Sequence, residues 1–151
     1  MKASDFFRGA APAILVAAAL ALAGCETMSS MWSSMFGGSK VTLSGGQEVP
    51  PVATSASGKG TITVKSDKSV RGSITTSAVN GIAAHIHTGA AGQNGPVAVP
   101  LTKGADGITW SVPAGAKLTD AQYDAYKAGK LYVNVHSAAH KGGEIRGQLK
   151  P

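Results

Sequence analysis

From Val41 onwards the apolar residues come in short runs rich in Val, Ile and Thr, alternating with polar positions and stopping at Gly, Pro, Asn or Asp. That period-two pattern predicts strands at Lys40–Ser44, Gly60–Lys65, Val70–Ser77, Ala83–Thr88, Val97–Leu101, Ile108–Val112, Leu131–Ser137 and Glu144–Leu149. Turn signals separate them at Ser66-Asp67-Lys68, Asn80-Gly81, Asn94-Gly95-Pro96 and Gly142-Gly143. Glu48-Val49-Pro50-Pro51 should be extended, because proline restricts its predecessor and cannot donate to a ladder. About eight strands at this spacing predict an all-β fold, an antiparallel Greek-key sandwich or barrel. One segment breaks the pattern. Thr119 and Gln122 stand as a capping box, Leu118 and Tyr123 as a hydrophobic staple, and Gly129 as a stop, which predicts a short helix from Thr119 to Ala128. Asp120 in its first turn and Lys127 in its last suit the helix dipole.

The N-terminus follows a different pattern. Lys2 and Arg8 precede an almost wholly apolar run from Gly9 to Ala23, too short for a permanent membrane span. It reads as a secretory signal peptide over residues 1–24. Leu22-Ala23-Gly24-Cys25 resembles a bacterial lipobox, which implies cleavage before Cys25, lipid on its sulfur and acylation of the new N-terminus. Two or more acyl chains anchor a protein stably to a membrane. An ordinary signal peptide with an incidental cysteine is the alternative. Glu26, in place of the aspartate that retains enteric lipoproteins at the inner membrane, leans towards the outer membrane, facing the periplasm or the cell surface. Residues 25–40 then form a Ser- and Gly-rich tether. Met28, Met31, Trp32 and Met35 fall at helical spacing within it. They suit an apolar stripe on the membrane surface or, as thioethers, cuprous copper.

Residues 41–151 are long enough for one domain with a moderate core. The net charge of +6 comes from scattered lysines, and aromatic residues make up only 5% of the chain. With no basic cluster and no stacking platform, nucleic-acid binding is not expected. Cys25 is the single cysteine, so no disulfide can form within the chain.

Chemistry concentrates in the histidines. Three of the four fall in strand patterns: His85 and His87 flank Ile86, and His136 ends Val133-Asn134-Val135-His136. Alternation puts His85 and His87 on one face, with Ala84 and Ile86 on the other facing the core. Likewise Leu131, Val133 and Val135 share one face, while Tyr132, Asn134 and His136 share a polar face able to line a site. If the two strands are neighbours, three imidazoles converge into a site for a divalent transition metal. Copper heads the affinity order and zinc is the alternative, since no thiolate is available to narrow the choice. The other reading is structural, each ring bonding a nearby carbonyl and binding nothing. His140, in the loop before Gly142-Gly143, is either a fourth ligand or a solvated loop residue. Glu144 and Arg146 share a strand face and are expected to pair.

Several stretches resemble the CHRD domain, the module named after chordin. Leu43-Ser44-Gly45-Gly46-Gln47-Glu48-Val49-Pro50-Pro51-Val52 resembles its opening. Ala84-His85-Ile86-His87-Thr88-Gly89, followed by Gly92-Gln93-Asn94-Gly95-Pro96-Val97, resembles its central motif. Leu131 to Ser137 and Gly142 to Leu149 resemble its end. A second, architectural resemblance is to copper/zinc superoxide dismutase, an eight-stranded Greek-key barrel with a His-x-His strand and a late Val-His. It implies His85, His87 and His136 as copper ligands. Equivalents of the bridging histidine, the zinc loop and the disulfide are missing, which counts against dismutase chemistry.

Three function classes follow. The chain is an envelope lipoprotein that binds, stores or delivers copper, or a non-catalytic structural or adhesive module, or, less readily, a dismutase-like enzyme. No Ser/His/Asp set, paired carboxylate site or phosphate-binding glycine loop is evident. The membrane, through the lipid, and the metal ion are the expected partners; no protein partner is indicated.

Overall fold

The computed structural model describes residues 38–151. The expected signal peptide, Cys25 and the methionine run of the expected tether lie outside the described residues. The strands are β1 (Ser39–Ser44), β2 (Ser57–Val64), β3 (Val70–Ser77), β4 (Gly81–Thr88), β5 (Val97–Pro100), β6 (Thr102–Lys103), β7 (Thr109–Ser111), β8 (Leu131–Ser137) and β9 (Ile145–Leu149). One helix, α1 (Asp120–Lys127), lies between β7 and β8.

All pairings are antiparallel, in the order β5-β4-β8-β9-β1-β2-β3-β7-β6. The two ends of that sheet are consecutive in the chain. Only Leu101 separates β5, paired with β4, from β6, paired with β7. Val97 to Lys103 is thus one bent strand that draws the two edges together, and the Leu101 N–H donates to the Ala84 carbonyl at 2.9 Å. Counting it once gives a nearly closed eight-stranded barrel. Strand β8 returns after the β4–β7 run to lie beside β4, which is the Greek-key connection. Closure leaves few exposed edges.

The inward faces fill the barrel as alternation predicts. Val41, Leu43, Ile62, Ile74, Ala84, Ile86, Trp110, Leu131, Val133, Val135, Ile145 and Leu149 are all buried. The helix forms from its ends. Thr119 Oγ1 accepts from the Gln122 N–H and the Gln122 side chain accepts from the Thr119 N–H. At the other end Gly129 takes φ +68°, where a side chain would be strained. The Gly129 and Lys130 N–H groups donate back to the carbonyls of Tyr126 and Ala125. Leu118 is buried and Tyr123 packs against the core.

The outer face of β4, β8 and β9 positions the site. Cross-strand register lays it out as a grid: His87 opposite Tyr132 opposite Gln148, then His85 opposite Asn134 opposite Arg146, then Ala83 opposite His136. All but Ala83 are polar, yet His87, Tyr132, Asn134 and Arg146 are buried. Loops cover them. The Asn94 side chain in the β4–β5 loop donates to the Val49 carbonyl in the β1–β2 connection at 2.8 Å, fastening one loop to the other. Gln148 holds the carbonyls of Gly89 and Gly129, each at 2.9 Å.

Candidate metal centre

His85, His87 and His136 converge. One ring nitrogen of each lies within 4.8 Å of the other two. Sequence alternation brings the first two together, and the β4–β8 register supplies the third, since His136 pairs with Ala83 and so lies diagonal to His85. The ring centroids are 5.0 to 5.9 Å apart.

Backbone carbonyls orient two of the rings. His87 Nδ1 donates to the Gly95 carbonyl at 2.9 Å, and His136 Nδ1 donates to the Lys141 carbonyl at 2.9 Å. Each bond assigns the proton to Nδ1 and leaves the Nε2 lone pair free. His136 Nε2 lies 3.1 Å from His85 Nδ1, so in this state His85 donates to it. His87 Nε2 is buried with no hydrogen-bond partner. Buried polar atoms are rarely left so, because an unpaired one costs about 1–3 kcal/mol.

The electrostatics favour neutral rings. Burial, and next the neighbouring His136 and His87, push the His85 imidazole below its ordinary range. Burial also lowers His87; the Gly95 bond opposes this, while His136 and Arg146 add to it. Neutral imidazole is the ligating form. His85 and His136 are half-buried while His87 is only 8% exposed, so the cluster is closed on the His87 side and reachable on the other.

His140 is not brought into this cluster. Its backbone closes the β8–β9 turn: the His140 N–H donates to Ser137 Oγ, and the His140 carbonyl accepts from Ser137 and Gly143. The loop serves the site through the Lys141 carbonyl, a contribution that side-chain identity cannot reveal. The expected Glu144–Arg146 pair does not form. Among the described residues the ion pairs are Lys68–Asp120 and Lys127–Asp124. Glu144 instead accepts from Thr54 Oγ1 at 2.8 Å, and the Ser137 and Thr54 hydroxyls hold its carboxyl below the usual range. Arg146 turns to the adjacent row, its guanidinium 3.5 Å from the centre of the Tyr132 ring.

Sequence alternation places Tyr132 on the face that lines the site but does not give its contacts, and it misses Glu48. Tyr132 stacks on His87, and its hydroxyl accepts from the Gly95 N–H at 3.2 Å. Glu48 accepts from Asn134 Nδ2, and burial raises its carboxyl to about 7 against the opposing pull of Arg146. The polar alternation of β8 was the available signal for Tyr132. Nothing local marks Glu48.

Residues 39–149 match the CHRD domain family. The chain belongs to that family. No curated protein and no solved structure matches the chain. The CHRD match spans every described strand, so the three histidines, Tyr132 and Arg146 all lie within the domain. This CHRD domain therefore carries a cluster of three imidazoles on the outer face of its barrel. Among the described residues no helix is long and apolar enough to cross a membrane.

Proposed function

We propose that this CHRD domain binds one transition-metal ion, copper before zinc, through His87 Nε2, His136 Nε2 and His85 Nδ1, and that it holds or delivers the metal at the bacterial cell envelope. The carrying observation is the buried, unpartnered Nε2 of His87. The structural reading accounts for the other two rings, since His85 and His136 can satisfy each other through their 3.1 Å contact. It leaves His87 Nε2 with an uncompensated loss of hydration. A metal ion accepts all three lone pairs, with His85 giving up its hydrogen bond and moving its proton to Nε2. Two of the three rings are oriented by carbonyls in advance, as second-sphere partners of metal ligands commonly are.

Three nitrogen donors without thiolate suit copper or zinc, and copper binds such sites more tightly. The half-buried side leaves room for a fourth ligand, water or a molecule handed over. Among the described residues no carboxylate or second imidazole set joins the cluster, which supports a carrier over a two-metal enzyme. The signal peptide and lipobox support an envelope location with Cys25 as the lipid anchor, the outer membrane before the inner.

Titration of tag-free protein with cupric ion tests the reading. One equivalent should bind, and changing both His85 and His87 to Ala should weaken binding by at least about a hundredfold, two ligands being lost. Equal binding by the double variant would remove the site. Tight binding without superoxide turnover would separate the carrier from the dismutase-like enzyme.

A further inference from the structure

Over β9, on the same outer face as the histidine cluster, lies a cleft of about 430 Å3 between the β1–β2 connection and the β4–β5 loop. Arg146 and Glu48 line its floor, and Val49, Pro51, Ala91 and Gly92 its walls. Arg146 is 1% exposed. A buried cation ordinarily has a carboxylate against it. This one forms no ion pair, since among the described residues both ion pairs lie elsewhere.

The guanidinium's hydrogen bonds all go to neutral groups. Nη2 donates to the Ala90 carbonyl at 2.8 Å and to Gln148 Oε1 at 3.3 Å, and Nη1 donates to Asn94 Oδ1 at 3.4 Å. The Tyr132 ring beneath it supplies cation–π attraction, which offsets part of the desolvation. Three hydrogen bonds leave two of the five N–H donors unassigned among the described residues. Glu48 is the nearby acid, and burial raises its carboxyl to about 7, so it is only partly ionised at neutral pH and largely uncharged below it. The floor is therefore net positive at about pH 7 or below, under walls that are mostly hydrocarbon.

We propose that this cleft binds a small organic carboxylate, its anionic end against Arg146 and its hydrocarbon body against Val49, Pro51 and Ala91. A carboxylate supplies the missing counter-charge and accepts the free donors. The walls select against a bare inorganic anion, and the low-dielectric floor selects against a neutral molecule of the same shape. Metal binding is not required by this proposal.

The experiment is an NMR titration of the full chain with butyrate, and with butyramide and inorganic phosphate in parallel. Butyrate should give saturable shifts at the amides of Gly46, Val49, Ala91 and Gly92. Butyramide and phosphate should each bind at least about tenfold more weakly, the former for want of charge and the latter for want of an apolar body. Arg146→Gln should weaken butyrate by about tenfold, and Glu48→Gln should strengthen it by removing residual like charge. Because Arg146→Gln could unfold the loop, Ala91→Phe gives an independent test: it fills the cleft from an exposed position and should abolish binding with both floor charges intact. The same affinity should be found before and after chelator treatment. Equal affinity for butyramide or phosphate, persistence in Ala91→Phe, or loss of binding on chelation would each overturn the proposal. The last would show that the carboxylate had been binding a metal instead.

Discussion

His87 and Tyr132 lie face to face across β4 and β8, ring centroids 5.0 Å apart and planes within 6° of parallel. Both rings hold the same residue, one through its carbonyl and the other through its N–H. The His87 Nδ1–H donates to the Gly95 carbonyl, and the Tyr132 hydroxyl accepts from the Gly95 N–H. Gly95 has no side chain for a reason: a Cβ there would overlap the Thr88 carbonyl. The loop thus comes close enough to fix the His87 tautomer only because residue 95 is glycine.

Tyr132→Phe keeps the stack and loses the acceptor. Its expected cost is about 1 kcal/mol in urea unfolding, the net worth of one hydrogen bond. Gly95→Ala should cost more and should also weaken metal binding, because the carbonyl that orients His87 moves. Equal metal affinity in Gly95→Ala and wild type would show that this carbonyl does not set the ring.

His85 and His87 are both pushed below the ordinary 6.5 in the folded chain. The unfolded chain then binds more protons below pH 6.5, so their contribution to stability is present above that pH and is lost as pH falls through it. Glu48 acts with the opposite sign. Raised from 4.5 to about 7, it makes the folded chain bind more protons in that window, and its contribution is lost as pH rises through 7. The two slopes oppose each other between pH 5 and 6.5. Glu48→Gln keeps the acceptor for Asn134 and removes one of them. It should raise stability at pH 8 by about 2 kcal/mol, less than the full shift because the amide must still be desolvated. It should also steepen the loss of stability on acidification below pH 6.5. Urea unfolding across pH 5 to 8 reads both effects, and an unchanged profile would show Glu48 to be ionised in the folded chain.

His140→Ala should leave copper stoichiometry and affinity unchanged, since its ring lies outside the cluster. His136→Ala should weaken binding by about tenfold or more, as expected for loss of a ligand. Lys141→Ala should also be silent, because the contact to His136 is made by the main chain. A large loss in His140→Ala would show that the β8–β9 turn rearranges to bring a fourth imidazole to the metal.

Replacing Cys25 by Ser should release the protein from the membrane fraction and leave it without acyl chains. Mass spectrometry of the mature N-terminus checks this directly. Retention of Cys25→Ser in the membrane would point to another anchor.

The strands with strong alternation were legible from the chain itself. Val70–Ser77 and Leu131–Ser137 carry enough β-branched residues, with clear turn signals on both sides, to define their ends. The helix was equally legible, since its caps are side-chain chemistry. Strand β6 was not, because two residues carry no periodicity; Thr102 and Lys103 are a strand only because the barrel must close there. The histidine cluster needed one inference beyond alternation, the adjacency of β4 and β8, which the Greek-key pattern supplies. What orients the cluster could not be read. The carbonyls of Gly95 and Lys141 have no sequence signature, and Arg146 prefers the Tyr132 face to Glu144 because the loops over β9 bury it away from water.

The most direct test of the central claim is anomalous diffraction at the copper edge from crystals grown with one equivalent of cupric ion. A single peak about 2 Å from His87 Nε2, His136 Nε2 and His85 Nδ1 is the expected result, that being the usual metal–imidazole distance. A peak elsewhere, or no peak with the His85–His136 hydrogen bond intact, would contradict it.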